Sequence, residues 1–469
     1  MTKGISILAR EVPGTGRRAS RRTTVFTGAA GLLAGPLLAA CGAVTSPGAS
    51  SDGGSGSGAK SKGPVTIEVL TRNGVTSPTG HSQYYAAAAR DRFTPETNIT
   101  VNLVDAQPSV GEKLNILAAS GTLPDASWFG VVADGVAGRE QAAKGIFKPL
   151  DDLVKKDSKF DVKPYFRAML DAFSVGGKLY ALPTHAHYGT NVLYYNKNLT
   201  QAAGIRVPDD GAWTVDELIV AAQKLTNRAD DVWGWWPSWT FSEFGTFWVR
   251  EFGGEFLDEA GKKTLIDSAQ ARAGLEWVYG AQTKFQTIDN LFRDGGNTAL
   301  FEAGKLGFFA ATPAQVALYR KPGQAIIKHD LGVALFPKGP GGQRGTQASG
   351  SGMGITGTSK VDASWEWVKF ITSKDVGVAG VLTGGAGSPG GRTDVWNDPR
   401  FLAFDPIYST IIKAYPQGAG SLRLPANNRY TDLTKVVNDE LTKYFRGEAG
   451  IGDATTKAVQ AGNVALTQA

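Results

Sequence analysis

Between residues 65 and 144 the sequence alternates between two hydrophobic periodicities, and this restricts the fold more than any other feature. Residues 65–70, VTIEVL, and 98–105, NITVNLVD, are β-branched runs of period two that give way to polar turns, the pattern of strands. Residues 82–93 and 111–120 have helical composition, with Tyr84, Tyr85 and Phe93 as apolar anchors in the first. A third strand run at 126–131 and a helix at 136–144, stopped by Gly145, follow. Strands and helices in alternation need crossover connections, and they predict a parallel α/β sheet.

The same grammar continues to the end of the chain. Strands are expected at 178–182, 191–195, 305–310 and 331–336, and helices at 214–225, 269–282, 363–371, 430–445 and 453–466. Thr214 and Glu217 have the spacing of a capping box. No short-period repeat is present, and 469 residues suit two or three domain-sized units.

The first 63 residues follow a different logic. Residues 17–22, RRASRR, precede an apolar run at 25–40 that is broken by Gly28, Gly31, Gly35 and Pro36. A membrane-spanning helix takes about 20 apolar residues, so the run reads as a secretory signal behind a basic n-region. Ser20-Arg21-Arg22 resembles the twin-arginine export signal, with Thr24 in place of its usual Phe. Twin-arginine and general secretion both stay open. Leu38-Ala39-Ala40-Cys41 resembles a bacterial lipobox, which implies cleavage before Cys41 and a diacylglycerol on its sulfur. The Gly/Ser-rich stretch that follows cannot bury a core and reads as a tether. The expected layout is therefore a signal peptide at 1–40, a tether at 41–63 and a fold from 64 onward. Cys41 is the one cysteine, which excludes intrachain disulfides and multi-cysteine metal sites. The formal charge of +6 does not point to nucleic acid. Residues 1–40 hold six of the 49 basic and one of the 43 acidic side chains, leaving 43 against 42.

Six segments, in order along the chain, carry a resemblance to a known family. They are Gly177-Lys178-Leu179-Tyr180-Ala181-Leu182-Pro183, Tyr194-Tyr195-Asn196-Lys197-Asn198-Leu199, Trp213-Thr214 with Glu217, Ala299-Leu300-Phe301 through Gly304-Lys305-Leu306-Gly307, Leu335-Phe336-Pro337-Lys338-Gly339-Pro340, and Trp365-Glu366-Trp367-Val368-Lys369-Phe370. Together these resemble the family 1 extracellular solute-binding proteins, the maltose-binding-protein-like group. One departure is Phe308 or Phe309 where the family usually has Met. The resemblance implies an α/β, two-lobed periplasmic-binding-protein-like fold of type II, with a ligand cleft between the lobes. It maps one lobe to 64–185 plus 311–357 and the other to 186–310 plus 358–469. It further implies capture of a small carbohydrate, a di- or oligosaccharide, by cleft closure and delivery to the permease subunits of an ABC importer. A monomer is expected on the outer face of the cell membrane, held by lipid at Cys41, without cofactor, metal or nucleic acid. A non-sugar metabolite as ligand, or a membrane sensor as partner, fits the same sequence. A secreted glycosidase, which would need a carboxylate pair, fits less well. No motif singles such a pair out, and neither a G-x-S-x-G elbow nor an H-E-x-x-H helix occurs.

A sugar site needs flat aromatics for C–H faces and fixed polar groups for hydroxyls. Trp236 and Trp239 lie in the densest tryptophan cluster, residues 233–241, which Gly and Pro mark as a loop. They are a candidate stacking platform, the alternative being the core of their own lobe. Trp128 and Asn73 follow predicted strands, at whose carboxyl ends ligands of open α/β sheets bind. For Trp128 the alternative is again core. His185, His187 and Tyr188 fall at the expected first crossover, where they could bond ligand; no third ligand joins the two histidines, so no metal site is expected. Thr312 falls at the expected second crossover. Gly352 lies near the third, where a missing side chain would let backbone approach a ligand. Arg392 and Arg423 are candidate guanidinium donors. Residues 339–345, GPGGQRG, read as an exposed loop and lack the Gly-Lys-Ser/Thr ending of a phosphate loop.

Overall fold

The computed structural model describes residues 64–72, 81–106, 109–131, 138–241, 245–384, 391–415 and 423–468. The signal peptide, the tether, Cys41 and Asn73 lie outside these residues.

Strand β1 (Val65–Thr71) pairs in parallel with β2 (Ile99–Asp105) and with β3 (Ala126–Gly130). Parallel neighbours need long crossovers. Helix α1 (His81–Ala88), which runs on into a π-helical turn at Ala89–Phe93, supplies the first, and α2 (Val110–Ala119) the second. Ser109 caps α2 by accepting the Glu112 N–H. Helix α3 (Gly138–Ala143) then leads to α4 (Arg167–Ala172). The chain next enters β4 (Ala181–Gly189) and, two residues later, β5 (Val192–Asn196).

Strands β4 and β5 belong to different sheets. After β5 come β6 (Trp233–Trp235), β7 (Leu306–Ala311) and β8 (Leu331–Leu335), and β9 (Gln347–Ile355) returns to the first sheet. The first sheet has the order β2-β1-β3-β9-β4 and the second β8-β5-β7-β6. Helices α5 (Val215–Leu225), α6 (Gly245–Glu251) and α7 (Ala269–Gly280) belong to the second lobe. Near the C-terminus lie α8 (Val361–Ile371), α9 (Lys374–Leu382), α10 (Tyr408–Ala414), α11 (Tyr430–Phe445) and α12 (Ile451–Thr467). No helix among the described residues is long and apolar enough to cross a membrane.

Each sheet has its own core. The first gathers Ile67, Val69, Phe129, Leu182, Met353 and Trp367; the second gathers Leu193, Tyr194, Leu218, Trp248, Phe336 and Leu441. These cores place the lobe boundaries differently from the sequence expectation. Strand β8, expected with 64–185, pairs antiparallel with β5 and therefore stays in the second sheet. The chain crosses back only at 336–346. Helix α8, expected in the second lobe, buries Trp367 edge-on against Phe93 at 5.2 Å and belongs to the first. The last crossing falls within α9, where Val376 joins the first core and Val378 and Val381 join the second. Thr312 accordingly lies inside the second lobe, where its carbonyl accepts the Tyr194 hydroxyl at 3.0 Å.

The first crossover, Gly189-Thr190-Asn191, is buried. Gly189 has φ +145, and a Cβ there would come 2.6 Å from the Ala414 carbonyl oxygen, so the close approach of α10 requires glycine.

Candidate functional site

Because β1, β2 and β3 run parallel, their carboxyl ends share one edge of the first sheet, the edge at which open α/β sheets bind ligands. Among the described residues, hydrogen bonds join the second lobe to the first at several short stretches. Thr190 N–H donates to the Ala414 carbonyl at 3.3 Å. The Phe166 N–H donates to Gly391 at 2.9 Å, and the Thr393 N–H to Pro164 at 2.6 Å. Arg139, at the start of α3, reaches Asn428 in the turn before α11. A cavity of about 10 Å³, room for about one water, lies at this last contact and is lined by Gly130, Val131, Arg139, Asn428 and Tyr430 among others.

Aromatic rings line the second of these stretches. Phe166 of the first lobe stacks on Tyr415 of the second, 6.2 Å between centroids and 16° between planes. Tyr415 lies 4.2 Å from Trp396. Trp396 is buried and its indole N–H has no bonded partner among the described residues. Tyr165 donates to the Thr372 carbonyl at 2.9 Å while the Arg392 guanidinium sits 4.8 Å over its ring. Burial pushes the Tyr165 hydroxyl up, only partly offset by Arg392, so it remains a neutral donor.

The structure treats the sequence-derived candidates unevenly. His185, His187 and Tyr188 fall on β4 in register with Ser351, Ser349 and Ala348 of β9, one step before the first crossover; their side chains lie outside the described part. Trp128 differs from the cleft expectation. It is buried in the first core, 6.0 Å from Tyr85, because β3 is an inner strand with both faces covered. Trp236 and Trp239 likewise fill the second core. Trp239 packs 4.7 Å from Phe445 and 5.6 Å from Phe292, and Trp236 is 3% exposed. The loop expected around them begins instead as β6, paired in parallel with β7. Gly352 approaches backbone closely, but the backbone is that of β4: a Cβ would come 2.5 Å from the Leu182 carbonyl oxygen. Arg392 is held by both oxygens of Asp394, at 2.8 and 2.9 Å. Arg423 donates to the Leu257 carbonyl at 2.9 Å, within the second lobe. The 339–345 loop is exposed only at its tip, since Gly339 and Gly345 are buried against Glu251.

Sequence reasoning passed over Tyr165, Phe166, Trp396, Tyr415, Arg139 and Asn428. Each meets a partner far away in the chain, and no local spacing marks the pairing. The nearest thing to a signal is the Asn427-Asn428 turn pair between an apolar stretch and a helix start.

The sequence profile of the family described as bacterial extracellular solute-binding protein matches residues 76–378. A probable ABC transporter-binding protein of Deinococcus radiodurans is 26% identical over 288 residues, 58% of this chain and 64% of that protein. The mannitol-binding protein of Pseudomonas aeruginosa is 27% identical over 212 residues, 42% of this chain and 44% of that protein. The chain thus spans less than two thirds of the length of these curated relatives. Among solved structures, an ABC substrate-binding protein from Listeria monocytogenes in complex with cycloalternan superposes with a TM-score of 0.72, at 18% identity, over 86% of this chain and 99% of that one. At that identity the likeness is one of fold, and the fold it shares is two-lobed α/β. The profile covers well over half of the chain, and the chain belongs to the bacterial extracellular solute-binding protein family.

Proposed function

We propose that this chain is the extracytoplasmic receptor of an ABC importer, and that it captures a small carbohydrate, a di- or oligosaccharide, by closing its two lobes. One observation carries the reading: the lobes meet beside the carboxyl end of β3, where Gly130 and Val131 line a small cavity with Arg139, Asn428 and Tyr430, and aromatic rings gather at a second meeting point, where Phe166 stacks on Tyr415 beside Trp396. Rings suit the C–H faces of a sugar, and polar groups its hydroxyls. The cycloalternan-bound fold relative supports an oligosaccharide. The mannitol-binding relative favours a second reading, a linear polyol. In both readings His185, His187 and Tyr188 on β4, with Asn73 beyond β1, are the candidate ligand contacts. The chain binds without turning ligand over, passes it to permease subunits as a monomer, and is held to the outer face of the membrane by lipid at Cys41.

The test is a thermal-shift series against D-mannitol, maltose and longer oligosaccharides. Ligand present at 100 times its Kd stabilises the native state by about 2.7 kcal/mol, which raises Tm visibly. A shift with one sugar class, with the sugar recovered intact, is the expected result. A flat series overturns the carbohydrate reading, and a consumed sugar overturns the binding-only one.

A further inference from the structure

Arg139 is a mostly buried cation whose hydrogen-bond partners among the described residues are all neutral. Its Nη1 donates to the Ala172 carbonyl at 3.0 Å and to the Ser174 carbonyl, both at the end of α4 in the first lobe. Its Nη2 donates to Oδ1 of Asn428 at 2.9 Å, in the second lobe. Burial lowers its pKa to about 10, so it is still charged at neutral pH. Glu140, its chain neighbour, is engaged with Lys144.

Both ends of this bond are firmly mounted. The two first-lobe carbonyls fix the guanidinium. On the other side, the Asn428 N–H donates to Pro425 at 3.0 Å, and the Ala426 N–H to Gly261 at 2.9 Å. Asn427 donates to the Ala465 and Gln468 carbonyls at 2.9 and 3.0 Å, tying the turn to the end of α12. Arg429 pairs with Asp432 at 2.7 Å. Asn428 itself has φ +61, a left-handed conformation that Asn tolerates and most residues do not. Movement of one lobe relative to the other therefore cannot be absorbed by slack at either end. It breaks the bond.

We propose that Arg139 and Asn428 form a latch between the lobes, which sets the ratio of closed to open protein, and through it the ligand affinity. The proposal rests on the closing, two-lobed receptor described above. The apparent affinity of a binding protein scales with the fraction in the binding-competent state, so a positioning pair of this kind tunes affinity through the lobe equilibrium. The neutral acceptor matters. An amide gives a charge-assisted bond that yields when the lobes part. A carboxylate in the same place would complete a buried ion pair with a cation that no acid among the described residues now neutralises, and it would hold the lobes together more tightly.

Two variants of the full-length, ligand-free protein test this by small-angle X-ray scattering. Asn428→Gly keeps the left-handed backbone and deletes only the amide. The closed-to-open ratio is expected to fall about tenfold, read as a larger radius of gyration. Asn428→Asp is expected to shift the ensemble the other way, to a smaller radius or a lower population of open protein. Scattering curves that superimpose for wild type and both variants overturn the latch. If Asn428→Gly loses its melting transition, Asn428→Asp alone decides: compaction supports the latch and unchanged scattering overturns it. Because the readout needs no ligand, a failure of every sugar to bind would sink the carbohydrate reading and leave this result standing.

Discussion

Glu251 ends α6 with its carboxyl wholly buried against the 339–345 loop, where Oε2 accepts the Gly345 N–H and the backbone oxygen accepts Gln343 Nε2 at 2.8 Å. Burial lifts its pKa from 4.5 to about 8, against the lowering effects of the Gly345 bond, nearby Arg344 and the Gly339 N–H. Neighbouring Arg250 pairs with Glu255 at 3.0 Å. An acid whose folded pKa is raised holds its proton more tightly when folded than when unfolded. Its contribution to stability is therefore complete below about pH 4.5 and drains away as pH climbs to about 8, by at most about 1.4 kcal/mol per pH unit. Glu251→Gln keeps the shape and an acceptor oxygen but cannot ionise. Urea midpoints measured from pH 5 to 9 are expected to fall with pH in the wild type and to stay flatter in the variant, with the variant the more stable above pH 8. Parallel curves would refute the assignment. At this scale the sequence was least informative. Nothing in GPGGQRG announces a buried carboxyl beneath it, since that carboxyl comes from a helix some way back in the chain.

The helices show how much can be read when the signal is local. Thr214 accepts the Glu217 N–H at 3.3 Å and Glu217 Oε2 accepts the Thr214 N–H at 2.7 Å, the reciprocal box that the spacing of the two residues predicts. The helix at 430–445 also forms as its periodicity predicts. Thr214→Ala should cost about 1 kcal/mol of stability, measurable as a lower denaturant midpoint with unchanged slope; no loss would mean that packing of α5 alone fixes its start. Strand β6 is the opposite case. Three residues with a central Gly, followed by Trp-Pro-Ser-Trp, look like a loop. They become a strand through Trp233 and Trp235 pairing with Leu306 and Phe308 of β7. That pairing also turns the tryptophans inward, with Trp235 5.9 Å from Trp248 and 6.0 Å from Trp277. A non-local pairing thus overrode the local turn chemistry, and the stacking platform expected from composition became core.

At the level of the whole molecule the alternation of strand and helix was enough to predict α/β lobes, while the boundaries between them were not legible. Strand β8 and helix α8 could belong to either lobe by their own sequences. Only the pairing of β8 with β5 and the seating of Trp367 against Phe93 assign them. The proposed anchor makes a prediction at this scale too. Cys41→Ser should move the protein from the membrane fraction to the soluble one on cell fractionation, with lobes and ligand affinity unaltered; a wild-type protein already soluble would remove the anchor from the account.

The strand order of the first sheet has a consequence for how the chain comes into being. Strand β9 lies between β3 and β4, yet it is made after the whole of β5 through β8. As the chain leaves the ribosome, β4 therefore has no neighbour in its sheet, and neither lobe can be finished until residues well past 355 are available. Long-range pairing of this kind is slow. The first lobe therefore closes as a unit only after the second lobe's strands have been made.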